Sequence, residues 1–116
     1  MILKKFDGIN LDDFPVAIFG TGPAGITTAL ELEKKNIKCL LIEAGSENYS
    51  ENSQEFYKGK IIGDQITDLS ASRLRQFGGT SGHWGGWSKP MEKYNLEHWP
   101  LRDRELDLYS KRTCEI

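Results

Sequence analysis

The chain has 116 residues, the length of one small domain, with 38% hydrophobic and 28% charged residues, a balance that excludes disorder along the whole length. Fifteen Lys and Arg against 17 Asp and Glu give a formal net charge of -2, too little positive charge for a nucleic-acid face or a polybasic lipid tail. Two cysteines, Cys39 in an apolar run and Cys114 near the end, make no disulfide framework and lack paired zinc spacing, so a reducing, cytoplasmic setting and no metal site are expected.

The N-terminal segment reaches acidic residues too soon for the apolar core of a signal peptide, and no run approaches the ~18 apolar residues of a membrane span. The first predicted element is Val16-Ala17-Ile18-Phe19 after Pro15, a short continuous apolar run of the kind found in a parallel strand buried on both faces. From Pro23 to Lys35 the period is helical, with Ile26, Ala29 and Leu30 on one face. Pro23 suits the first turn, and Lys34-Lys35 followed by Asn36 suits the end. Lys38 to Glu43 then reads as a second buried strand, so Val16 to Glu43 spells strand, glycine turn, helix and parallel strand.

Ser46 to Gln54 is polar and aperiodic and reads as a loop. Phe56 to Ile62 suits a short strand or hairpin edge, while Leu69 to Phe77 alternates apolar and basic residues without a decisive period. A turn-rich connection follows Pro90, and Leu101, Leu106, Leu108 and Tyr109 place a final helix over Arg102 to Glu115. No internal repeat or low-complexity tract is present.

Eight of the 12 glycines lie in two clusters. Gly20-Thr21-Gly22-Pro23-Ala24-Gly25 fits G-x-G-x-x-G between strand and helix, the context that the motif's mechanism requires. Gly20 makes the tight turn, Gly22 lets a pyrophosphate approach the backbone, and Gly25 lets helix and strand pack closely, with the helix N-terminus toward the phosphates. Eighteen residues after Gly25, at the end of the second strand, Glu43 offers a carboxylate to a ribose diol and disfavours a 2′-phosphate. An adenine dinucleotide is the expected ligand, NAD and FAD being equivalent at this unit; the plain alternative is a ligand-free glycine turn beside a surface glutamate. The second cluster, Phe77-Gly78-Gly79-Thr80-Ser81-Gly82-His83-Trp84-Gly85-Gly86-Trp87, sets five glycines among two hydroxyls, an imidazole and two indoles. Its backbone amides can turn toward a phosphate or a flat ring. Trp84 and Trp87 are also expected to fill part of the core.

At these residues the chain resembles the glucose-methanol-choline (GMC) family of flavin-dependent oxidoreductases. Ala17 to Gly45, ending Leu41-Ile42-Glu43-Ala44-Gly45, is similar to that family's FAD-binding start. Ser72-Arg73-Leu74-Arg75-Gln76-Phe77 through Gly86 is similar to its second signature, and Trp99-Pro100 before the last helix to the segment that follows. The resemblance implies a mixed α/β, Rossmann-like FAD-binding βαβ unit with an incomplete parallel sheet, occupying residues 1-116 as one domain. It implies FAD held by Gly20, Gly22, Pro23, Ala24, Gly25 and Glu43 at the adenosine end and by Arg73, Gly78, Gly79, Thr80, Ser81 and His83 toward the flavin. His83 matches the position that carries a covalent flavin bond in pyranose-oxidase-like members, with a non-covalent contact or a bystander role as the alternatives.

Family chains are several times longer, and their catalytic base lies in a C-terminal portion with no counterpart here. No catalytic residue is carried over; His98, in a turn before Trp99-Pro100, has nothing nearby to orient it. The expected function is therefore that of an FAD-binding portion of an enzyme oxidising CH-OH groups by hydride transfer to FAD, inactive alone, with a separate C-terminal substrate-domain chain as a possible partner. A non-catalytic remnant or interaction module retaining the dinucleotide fold is the alternative. A small NAD-dependent module is a third reading, which the second glycine cluster argues against.

Overall fold

The computed structural model describes residues 2–64, 67–83, 85–100 and 103–113. The chain divides into two compact units at Trp84/Gly85, and each is described by itself.

In the first unit the apolar run Val16–Phe19 forms β1, Pro23–Lys34 forms α1 and Cys39–Ile42 forms β2, the elements expected from the sequence. The strands pair in parallel, Val16 opposite Cys39 through Phe19 opposite Ile42, and the Gly20 N–H extends the ladder by donating to the Ile42 carbonyl at 2.8 Å. The result is a mixed α/β unit on a two-stranded sheet. Gly22 is the N-cap of α1 and Pro23 opens its first turn, where the missing proline N–H removes no helical bond. At the other end Asn36 adopts φ 57. The Asn36 N–H donates to Glu33 O at 2.8 Å and the Ile37 N–H to Leu32 O at 3.0 Å, the paired bonds with which a left-handed residue closes a helix.

Gly25 sets the distance between β1 and α1. A Cβ there would overlap the Gly20 carbonyl oxygen and lie 3.5 Å from Ile18 Cγ2, so the helix sits on the Ile18 face of the sheet. The opposite face is open. Ala17 and Phe19 are exposed while Val16 and Ile18 are half-buried, and Phe19 is 80% exposed. The expectation of a strand covered on both faces is thus corrected: a two-stranded sheet packed by α1 has cover on one side.

Two further expectations change. The polar stretch read as a loop ends in a short helix, α2 (Glu51–Gln54), which runs into a 3-10 turn at Glu55–Tyr57. The strand or hairpin edge expected over Phe56 to Ile62 is absent: from Lys58 to Ile62 the backbone has no regular structure, and Phe56 and Ile62 stand 75% and 88% exposed. The cause is tertiary. The buried Gln54 side chain donates through Nε2 to the carbonyls of Ser70 (2.7 Å) and Arg73, and its Oε1 accepts the Arg75 N–H at 3.2 Å. Ser53 donates to the Arg75 carbonyl at 2.9 Å, so α2 is fixed by the chain 16 to 22 residues ahead of it.

The stretch whose period was undecided contains α3 (Leu69–Ser72). Gln76 then forms a parallel bridge with Ser46, reinforced by the Phe77 N–H donating to Ser46 O at 2.8 Å. Gly45 permits this approach, because a Cβ on it would overlap the Arg75 carbonyl and stand 2.6 Å from Gln76 Cα. The Arg75 guanidinium lies 4.5 Å from the centre of the Phe56 ring and donates through Nη1 to Ser53 Oγ at 2.9 Å.

The second unit holds α4 (Lys93–Leu96) and the final helix α5 (Asp103–Thr113), inside the range expected for it; Leu101, Arg102 and Glu115 lie outside the described residues. Trp87 is 90% exposed, which corrects its expected place in a core, and Trp84 lies outside the described residues. Among the described residues no helix is long and apolar enough to cross a membrane.

Candidate ligand-binding site

The end of β1 and the end of β2 bring the first glycine turn beside Glu43. Gly20 needs its left-handed φ of 100 to leave the strand, and a Cβ on Gly20 or Gly22 would meet nothing within 4 Å. The backbone of this turn is therefore open to an approaching group at the N-terminus of α1, a helix of 12 residues, where N–H groups and the helix dipole favour an anion.

Glu43 turns back onto the loop. Its Oε2 accepts from the Thr21 N–H at 2.9 Å and from the Thr21 hydroxyl at 2.5 Å, and its Oε1 accepts from the Gly45 N–H at 2.8 Å. Burial pushes the carboxyl pKa up, but the Thr21 hydroxyl and the amides of Gly45, Thr21 and Ala44 outweigh it, and the net result lies below the ordinary glutamate value. Glu43 is a stable anion at neutral pH.

Thr21 then reaches the second glycine cluster. Its Oγ1 accepts the Gly78 N–H at 2.9 Å, 57 residues along the chain. Gly78 and Gly79 have φ values of 84 and 63, and the Gly79 Cβ position lies 3.5 Å from Gly22 Cα. This backbone leads into a 3-10 turn at Gly79–Gly82. Ser81 Oγ donates to the Gly78 carbonyl at 2.5 Å, and Thr80 Oγ1 accepts the Leu74 N–H at 3.1 Å. The two glycine clusters therefore meet, and one buried threonine joins them.

Between them lies a cavity of about 350 Å³, at the low end of the roughly 300–1,000 Å³ typical of small-molecule sites. Of the residues singled out from sequence, Gly20, Gly22, Glu43, Gly79 and Thr80 line it. Pro23, Ala24 and Gly25 form the first turn of α1 behind it. Gly78 and Ser81 hold its rim through the bonds just described. Arg73 contributes its carbonyl to the Gln54 clamp. His83 caps the 3-10 turn, its N–H donating to Thr80 O at 3.0 Å, with an exposed side chain that is not part of the wall.

The wall also contains residues to which sequence reasoning gave no role: Phe19, Thr21, Ile42, Ala44, Tyr57, Leu74, Arg75 and Gln76. Thr21 carried a local signal, a hydroxyl between the first two glycines of the motif. Tyr57 carried none, while Leu74, Arg75 and Gln76 lay in the Ser72 to Gly86 stretch singled out from sequence without being given a site role; the Ser53 and Gln54 bonds that hold the 70–75 backbone span more than a dozen residues. Among the described residues no group of three His, Cys, Asp or Glu could hold a metal ion. His98 is exposed in a turn of the second unit.

No protein-family model, no curated protein and no solved structure matches the chain.

Proposed function

We propose that this chain is an FAD-binding, Rossmann-like unit of a GMC-type oxidoreductase that acts on the CH-OH group of its donors, in a cytoplasmic setting, and that it does not turn over alcohols by itself. The observation that carries the reading is the junction of the two glycine clusters around one cavity, with an ionised Glu43 on its wall. The residues fit the adenosine diphosphate part of such a cofactor. Gly20, Gly22 and the first turn of α1 would hold the pyrophosphate, because the turn is open where a Cβ would stand, and Glu43 would hold the ribose. FAD, when bound, supplies the hydride acceptor for oxidation of an alcohol to a carbonyl compound.

What the chain's own residues do is bind and orient. Alcohol oxidation also needs a base held against the hydroxyl proton. His83 and His98 are both exposed, and neither has a hydrogen-bonded carboxylate or carbonyl fixing its ring among the bonds of the described residues. A substrate-domain chain in trans is the partner that this reading calls for.

The test is a titration of the purified chain with FAD and with NAD, followed by flavin fluorescence and by calorimetry. Tighter binding of FAD is the expected result, and tighter binding of NAD overturns the flavin assignment. A second reading, a non-catalytic interaction module, is favoured by one observation: among the described residues no apolar side chain is buried, and Phe19 stands 80% exposed on the open face of the sheet. Binding of neither cofactor would decide for that second reading.

A further inference from the structure

β1 is paired along one side. Its neighbour in the sheet is β2, and at its end the Gly20 N–H reaches the Ile42 carbonyl. A parallel ladder draws its bonds from alternate residues of a strand, so Val16 and Ile18 turn their backbone groups toward β2 while Ala17 and Phe19 turn theirs to the opposite edge. Among the described residues neither Ala17 nor Phe19 makes a backbone bond outside the sheet. The same two side chains are exposed on the face that α1 leaves open. Natural sheets guard such an edge with a charge, a proline or a bulge. Val16–Phe19 carries none of these.

We propose that the β1 edge is a dimerisation surface on which a second copy of this chain lays its own β1 antiparallel, across a two-fold axis at Ile18. The edge is complementary to itself in one register. With Ile18 opposite the partner's Ile18, Ala17 faces the partner's Phe19 and Phe19 faces the partner's Ala17, and each of these pairs exchanges both of its N–H···O bonds. Every backbone group that Ala17 and Phe19 turn outward is then satisfied. The small Ala17 side chain leaves room for the partner's Phe19 ring, and the two rings stand on a diagonal within aromatic reach. Moving the axis by one residue spoils the match. Centred on Ala17, Phe19 would oppose the partner's Pro15, which has no N–H. Centred on Phe19, Ala17 would oppose the partner's Thr21, which lies past the left-handed turn at Gly20 and whose N–H is bound to Glu43. This match of large to small in a single register selects a second copy over an arbitrary extended segment. The two-fold closes the contact after two copies, and a formal net charge of -2 per copy opposes it little. The product is a continuous four-stranded sheet, ordered β2-β1-β1-β2, with both α1 helices on one side; it does not depend on which ligand the cavity takes.

The experiment measures the mass of the purified chain by sedimentation equilibrium over a range of concentrations, with amide exchange at Ala17, Ile18 and Phe19 followed by NMR at the two ends of that range. The mass should rise from 13.1 kDa toward twice that value. Protection at Ala17 and Phe19 should rise with it, because these amides exchange from the copies whose edge is open. The Ile18 amide, in the ladder to β2, should be protected throughout and reports that the strand is formed. Ala17→Lys sets a charge against the partner's Phe19 and should hold the chain at 13.1 kDa, with Ile18 protected and Phe19 open at every concentration. Ala17→Ser, small and uncharged, should associate as the wild type does. A wild-type chain that stays monomeric, associates without protecting Ala17 and Phe19, assembles past the dimer or leaves Ile18 unprotected overturns the proposal, as does association of a folded Ala17→Lys chain. If Ala17→Lys loses its Ile18 protection, the wild-type exchange pattern decides.

Discussion

Replacing Glu43 by Gln separates the carboxylate's role in the fold from its role toward a ligand. The amide keeps one acceptor oxygen and puts an NH₂ where the other stood. If the oxygen faces Thr21, the Gly45 N–H loses its partner; if it faces Gly45, two Thr21 donors meet an NH₂. The first arrangement is the less costly. An unpartnered donor costs ~1–3 kcal/mol when buried, and bonds to a neutral acceptor are weaker by about 1 kcal/mol than bonds to a charged one. Glu43 is half-exposed, so water takes up part of the loss, and a total of about 1–2 kcal/mol is expected at the low end of those figures.

Read by amide hydrogen exchange, that is a loss of roughly five- to thirtyfold in protection at Gly45 and Thr21. The amides of Cys39–Ile42 should change little. Unaltered protection at both sites would refute the view that Glu43 fastens the loop. The pH dependence has a definite sign. The folded pKa is depressed, so the stabilisation is present in full above the ordinary value of 4.5 and is lost as pH falls through the lower folded value. In Glu43→Gln this acid-dependent loss should vanish.

Gln54→Leu removes the acceptor of the Arg75 N–H and the donor to two carbonyls; a loss of ~1–3 kcal/mol should appear as a lower denaturant midpoint, and an unchanged midpoint would show that α2 is held otherwise. Gly25→Ala drives a methyl into the Gly20 carbonyl, and circular dichroism should report lost helix and a lower melting temperature; native-like melting would mean that the β1–α1 spacing adapts. His83→Ala should lower FAD retention while leaving the melting temperature without ligand unchanged, since a ligand stabilises in proportion to its affinity for the folded state. The opposite pattern would give the His83 side chain a structural role beyond the cap bond, which its backbone N–H makes in either variant.

The strand, helix and strand from Val16 to Ile42 were legible because each boundary is local: a proline before β1, glycines where the chain must turn tightly, and Pro23 and Asn36 at the ends of α1. What escaped the sequence is held by side chains reaching backbone far away. Nothing near Gln54 announces that its amide clamps residues 70 to 75, and without that knowledge Phe56 to Ile62 looks like an edge strand. The site divides in the same way. Gly20, Gly22 and Glu43 lie where a motif of fixed spacing puts them, whereas Thr21 acquires its role from a glycine 57 positions on. Burial misled the sequence reading in one direction: Phe19 and Trp87 are apolar but stand open, because apolar character places a residue inside only where another layer exists to cover it.

That inversion bears on how binding and folding are linked. Among the described residues the buried ones are Thr21, Ser53 and Gln54, each a polar side chain satisfied by hydrogen bonds: Thr21 to the Glu43 carboxylate and from the Gly78 N–H, Ser53 and Gln54 to backbone carbonyls. Hydrogen bonds exchange water for protein partners and contribute about 0.5–1.5 kcal/mol each, whereas apolar burial is the dominant favourable term in folding. A unit held in this way is specified in its geometry and weakly favoured in free energy. The bonds of Thr21 run to Glu43 and Gly78 beside the cavity, and those of Ser53 and Gln54 hold Arg75 on its wall, so the fold and the site share contacts. A group that occupies the cavity adds to a junction on which the fold depends, and a surface that covers Phe19 adds apolar burial on the face of the sheet that α1 leaves open. Both act on the same equilibrium, so each strengthens the other: a covered sheet holds the glycine turn in the binding geometry for a larger fraction of the time, and the apparent affinity rises in proportion to that fraction.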